Sequence, residues 1–243
     1  MTDNGLAAIA ADHGLQTAFQ TVHGPADDAR VDQWELEASR RALANLRELL
    51  YGQPMMDLLG EQIAEADKLH RAYLAASKGE FTQTRVTMAA KGISLKELAS
   101  IFAAAARPNV SSFEDSREMA ISMAFPAHPE HYSPARDFNG VVETMGGLPT
   151  LTRVAPDPNP PQFVLDEFDD GYEFRNAGKG VLADGTPHSY VLQEFHDTED
   201  GLEASLRIWY PAACPPEYLA EHSQHYAIEF RNMLRLAAAR MNH

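Results

Sequence analysis

The 243 residues carry 20 Lys and Arg against 35 Asp and Glu, a net charge of −15, with no basic cluster in the chain. Binding to nucleic acid or to an anionic membrane surface needs such a cluster, so both partners are excluded as expectations. The single cysteine, Cys214, rules out an intrachain disulfide and a thiolate metal site, so any metal must be held by histidines and carboxylates.

Residues 1–30 show no clear period and read as a partly ordered leader without the basic, apolar pattern of a signal peptide. From Val31 the spacing turns helical. Trp34, Leu36, Leu43, Leu46 and Leu50 recur at helical intervals until Tyr51-Gly52-Gln53-Pro54 stops the run. A second helix carries Met56, Leu59, Ile63, Ala66, Leu69 and Tyr73 and ends at Lys78-Gly79. A third begins at Ser94, with Glu97 at the capping-box position, and runs to Pro108. Strands are predicted at 117–125, 149–155, 162–168, 171–175, 188–196 and 202–210, the last two joined by an Asp200-Gly201 turn. His188 and His196, eight residues apart, are expected on one face of the sheet. A long helix from about Glu217 to Arg240 closes the chain.

This order predicts an α+β fold of helix-grip type, an antiparallel sheet wrapped on a long C-terminal helix, with an interior suited to a small apolar ligand. The expected division is a helical N-terminal extension, 1–90, and a helix-grip domain, 91–243. The two amphipathic helices of the extension need apolar partners, and a homodimer is the expected assembly. No apolar run is long enough for a membrane span, and a reduced cytoplasmic setting is expected.

The candidate functional residues lie in three stretches. HSQHYAIEF, 222–230, puts His222, His225 and Glu229 at i, i+3 and i+7, on one face of the last helix. FPAHPEHYS, 125–133, offers His128, Glu130, His131 and Tyr132. FNGVVETMGG places Glu143 between an apolar pair and two glycines. Each alone also has a plainer reading: a polar helix face, a polar turn fixed by Pro126 and Pro129, and a solvent-facing strand residue. Two histidines and two glutamates together suit zinc, with iron or manganese as alternatives.

LQEFHDTEDGLEASLRIWYPA (192–212) followed by LAEHSQHYAIEFRNML (219–234) resembles the end of the diacetylphloroglucinol hydrolase and phloretin hydrolase family. AFPAHPEHYS and VVETMGG resemble its upstream segments, so the likeness covers roughly residues 94–240. The resemblance implies a helix-grip fold related to pollen-allergen (Bet v 1-like) and START-like lipid-transfer domains. It implies zinc-dependent hydrolysis of the carbon–carbon bond between an acyl group and a phenolic ring. It makes His225, Glu229 and Glu143 metal ligands. The family's remaining histidine has no counterpart in SIFAAAARPN, and His131 or His128 is the substitute. Tyr132, His128 and His222 are the candidate proton donors, and the expected partner is a small aromatic molecule. The competing expectation is a non-catalytic grip that binds an aromatic or lipid-like ligand.

Overall fold

The computed structural model describes residues 19–22, 24–105, 120–134 and 140–241. The chain divides into two units, Met1–Leu46 and Arg47–His243. The first holds a small hairpin, β1 (Phe19–Thr21) and β2 (Gly24–Ala26), and most of helix α1 (Asp28–Leu49). The Asp27 carboxylate accepts the Arg30 N–H at 2.9 Å and caps that helix.

In the second unit the longer helices follow the sequence signals closely. Helix α2 (Gln53–Ser77) starts on Pro54 and stops at Lys78, which takes the left-handed conformation (φ 51°) ahead of Gly79. Helix α3 (Leu95–Ala105) is entered through a capping box. The Ser94 N–H donates to Glu97 Oε2 at 2.6 Å, and the Glu97 N–H returns a longer bond to Ser94 Oγ. The final helix, α6, spans Pro216–Met241.

The remaining strands are β3 (Phe81–Lys91), β4 (His131–Pro134), β5 (Val141–Met145), β6 (Leu148–Pro156), β7 (Phe174–Val181), β8 (Pro187–Asp197) and β9 (Gly201–Pro211). They form one seven-stranded sheet in the order β3-β9-β8-β7-β6-β5-β4, antiparallel throughout. The first strand in sequence thus pairs with the last. Helix α6 contacts both β3, at one edge, and β5, next to the other edge, so the sheet curls around it. On β9, Leu202, Ala204, Leu206, Ile208 and Tyr210 turn toward Tyr226, Phe230 and Met233 of α6, the period-2 pattern of a strand with one face on the main core. The opposite face is also covered. Met55 and Leu59 of α2 pack on Val142 and Leu151, and Val164 packs on Leu192 and Trp209. There Glu194, fully buried, is held by Arg175 at 2.8 Å and Arg207 at 3.1 Å. No helix among the described residues is long and apolar enough to cross a membrane.

Several expectations are corrected. Residues 120–127 are not strand but a π-type turn (Ala120–Ala124) and a short helix α4 (Phe125–Ala127), while 117–119 lie outside the described residues. Pro126 has no N–H to give a sheet and suits a first helical turn. Residues 162–165 form a short helix α5 (Gln162–Leu165) behind Pro161, tied by Gln162 Nε2 to Asp166 Oδ1 at 2.7 Å. The strand expected at 171–175 begins only at Phe174 and runs on to Val181. β3, unread in the sequence, belongs to the sheet, so the sheet-bearing unit starts well before residue 91. His188 and His196 do not share a face. Gly180 pairs with Ser189 and Val181 with Pro187, so His188 is the extra residue of a bulge and turns inward against His70. His196 stays partly exposed beside Glu203, at 3.5 Å.

Candidate metal centre

Helix α6 supplies three of the polar side chains, because i, i+3 and i+7 fall on one helical face. His222 and His225 are stacked, with ring planes 2° apart and centroids 5.3 Å apart. Glu143 and His131 come from neighbouring strands and stand directly opposite in the β4–β5 register. The loop before β4 is fixed from outside. Arg47, at the end of α1, donates to the carbonyls of Phe125, His128 and Pro129, and its guanidinium lies over the Phe125 ring. Burial pulls that guanidinium down to about 10. Asn232 of α6 donates to the Ala127 carbonyl at 3.0 Å, tying the helix to the same loop.

The side chains meet in a small triangle. His131 Nε2 is 3.2 Å from His225 Nε2, and each is 3.3 Å from Glu143 Oε2. His131 Nδ1 is 2.7 Å from the Ala124 carbonyl oxygen, which can only accept. A neutral His131 ring therefore carries its proton on Nδ1, with its Nε2 lone pair toward the triangle. His128 stacks on His225 with centroids 3.7 Å apart. His128, His131 and His225 are all buried and offer nitrogens within 4.8 Å of one another, a cluster able to hold a metal ion. His128 differs in one respect. Its Nδ1 accepts the Glu130 N–H at 3.0 Å, so in the neutral ring the proton is on Nε2. Glu229 is more distant, with Oε2 4.0 Å from His225 Nε2.

Charge follows the geometry. Burial alone would raise the Glu143 carboxyl, but His131 and His225 outweigh it and hold the group well below the usual carboxylate range. Burial pulls His225 down, and the Glu143 carboxylate more than reverses this, leaving it raised. His128 and His222 are pushed down to about 3, chiefly by burial. The pair is thus neutral beside an ionised Glu143.

Of the expected site residues, the structure brings together His131, His225, Glu143, His128 and His222, with Glu229 at the rim. Tyr132 is not among them. Successive strand residues face opposite ways, and Tyr132 packs with Met55, Leu59 and Val142 while its hydroxyl meets Thr144 Oγ1 at 3.0 Å. Sequence reasoning missed Tyr210, whose hydroxyl is 3.0 Å from His222 Nδ1, and the buried group His70, His188 and Tyr218. One signal was available: His70 continues the Leu59, Ile63, Ala66, Tyr73 stripe of α2 at helical spacing. Cys214 is buried and pushed up to about 12 by burial, which makes it a poor nucleophile.

No family model and no curated protein matches the chain. Among solved structures, a putative uncharacterized protein from Rhizobium leguminosarum is similar at 14% identity, over 66% of this chain and 96% of that one, with a TM-score of 0.32. A likeness at that level carries no argument about fold or chemistry.

Proposed function

We propose that this chain is a metal-dependent hydrolase of helix-grip architecture that cleaves the bond between an acyl carbonyl and a phenolic ring. The observation that carries the reading is the His131–His225–Glu143 triangle, with sides of 3.2, 3.3 and 3.3 Å. Donors bound at 2.0–2.1 Å to a tetrahedral zinc lie about 3.3–3.4 Å from one another. The three atoms already stand at that spacing. Two nitrogens and a carboxylate oxygen, with no thiolate, suit zinc first and iron or manganese second. Glu229, with Oε2 4.0 Å from His225 Nε2, and His128 are the candidates for a fourth donor.

When bound there, such an ion supplies Lewis-acid polarisation of a carbonyl and acidifies a water. The chain's own residues do the rest. The Ala124 carbonyl holds His131 in the tautomer that points its lone pair inward. His128, neutral and with its proton on a buried Nε2 that has no partner among the described residues, would donate a hydrogen bond to a developing oxyanion. A phenolic leaving group can spread the developing negative charge over its ring, so the site need only polarise one carbonyl.

One observation favours a second reading, a non-catalytic binding protein. A 3.2 Å contact between His131 Nε2 and His225 Nε2 also suits a hydrogen bond, and the raised His225 beside ionised Glu143 suits an ion pair without metal. Elemental analysis of the purified protein separates the two. About one zinc, iron or manganese per chain, lost in His225→Ala, supports the hydrolase and justifies assaying acylphenols. Absence of metal after reconstitution sinks it.

A further inference from the structure

Three buried groups outside the triangle form a hydrogen-bonded line. The Tyr218 hydroxyl is 2.9 Å from His70 Nε2, and His70 Nδ1 is 2.9 Å from His188 Nδ1. His188 is fully buried, and His70 and Tyr218 are each 5% exposed. The line ends at His188 Nε2, a buried nitrogen with no hydrogen-bond partner among the described residues. Buried polar atoms are nearly always paired, so an unpaired one at the end of an ordered chain points to a missing partner.

The valence of the chain says what that partner is. A neutral imidazole has one N–H and one lone pair, so only two arrangements satisfy both internal bonds. In one, Tyr218 donates to His70, His70 donates to His188, and His188 Nε2 carries a hydrogen. In the other, every bond runs backward and His188 Nε2 presents a lone pair. Neither arrangement carries charge. Burial keeps both rings neutral, holding His70 down to about 4 and His188 to about 3. The free nitrogen can therefore donate or accept without ionising. A hydroxyl or carbonyl oxygen is the matching partner. An anion is disfavoured, because His188 lies within electrostatic reach of Glu143. Gly180 contributes no side chain at this end of the line, where an added Cβ would meet Ser189 Oγ, Thr152 Cγ2 and His188 Nε2.

We propose that the Tyr218–His70–His188 line is a ligand-reading subsite that binds a hydroxyl or carbonyl oxygen of an uncharged aromatic molecule in the interior of the sheet. The aromatic preference follows from the rings packed against Tyr218, Tyr210 at 4.8 Å and Tyr73 at 6.5 Å between centroids. The proposal does not depend on a metal.

The test is calorimetric titration of metal-free protein with resorcinol, toluene and benzoate. Resorcinol is expected to bind at least about tenfold more tightly than the other two, the usual scale of one well-made buried hydrogen bond. His188→Leu should weaken resorcinol about tenfold or more and leave toluene unchanged. Tyr218→Phe, which leaves His188 in place but removes the far end of the line, should weaken resorcinol about threefold. The Tyr218 variant decides the matter if the His188 variant fails to fold. Equal affinity for resorcinol and toluene, no resorcinol binding, or unchanged binding in the variants overturns the proposal. Metal analysis of the same samples keeps the two ideas apart. Metal without resorcinol binding would leave the hydrolase standing and sink the subsite, and the converse result would do the reverse.

Discussion

His131 and Glu143 face each other across the β4–β5 ladder, and their side chains meet at 3.3 Å on the buried face of the sheet. Cross-strand partners are held by the backbone register, so this pair is preorganised whether or not anything binds. Helix α6 then needs to deliver only His225 to complete three donors.

That arrangement predicts unequal effects at the two neighbouring histidines. His131→Ala removes a lone pair that already faces the triangle and should cost metal affinity at least about a hundredfold. His128→Ala removes a ring whose Nδ1 is taken by the Glu130 N–H and whose Nε2 carries the proton, and metal binding should fall by less than about tenfold. Competition with a chromophoric chelator measures both. Equal losses would show that the His128 ring turns over and ligates.

Arg47 should matter to the same centre from a distance. It is buried and gives its hydrogens to three carbonyls of the loop that carries His128 and leads into His131. Arg47→Ala takes one donor from each of those carbonyls, leaving the His128 carbonyl only the His131 N–H, and opens a gap under Phe125. The expected destabilisation is about 2–4 kcal/mol in urea denaturation. A metal affinity reduced about tenfold should accompany it, as for loss of a group that orients a ligand. Unchanged stability would show that water replaces the guanidinium.

Much of this was readable in the chain, and the unread part has a common cause. The capping box at Ser94, the stop at Lys78-Gly79, the β8–β9 hairpin and α6 are all set by residues within a few positions of one another, where local spacing suffices. The i, i+3, i+7 face of α6 identified His225 for the same reason. Pairing of His131 with Glu143 depends on register across a bulge between His131 and Ser133, which local pattern does not encode. His70 meets His188 across 118 residues of chain, a pairing that local spacing does not encode. Strict alternation puts His188 on one face with His196, and only the bulge against β7 turns it inward. Residues 120–125 form helical turns where a strand is expected, because a short apolar run suits either structure and Pro126 is the deciding clue.

The outer face of the sheet offers a control for these experiments. Glu194 is fully buried between Arg175 and Arg207 and far from the triangle in the strand order. Glu194→Ala leaves two guanidinium groups without their shared carboxylate and should destabilise by about 3–5 kcal/mol. Metal binding by the folded fraction should be unchanged. A loss of metal in this variant would mean that the centre responds to global stability, and the losses expected for His131 and Arg47 would then need correction.

Acid should unfold the metal-free protein through its buried neutral histidines, and His70 gives the clearest case. Its folded value is lowered to about 4 from 6.5, with burial as the main cause. Below pH 6.5 the unfolded chain binds a proton at this ring and the folded chain does not. Stability is therefore complete above 6.5 and falls as pH drops toward about 4, where the folded ring also protonates. Over that window His70 accounts for roughly 3 kcal/mol, at about 1.4 kcal/mol per pH unit for one proton. Urea midpoints measured between pH 7 and 5 should decline steadily. His70→Gln, which keeps a polar group in the line but cannot titrate, should decline less steeply by about one proton's worth. Identical slopes for the two proteins would mean that His70 is already protonated in the fold, and that Tyr218 and His188 are not joined through an uncharged ring.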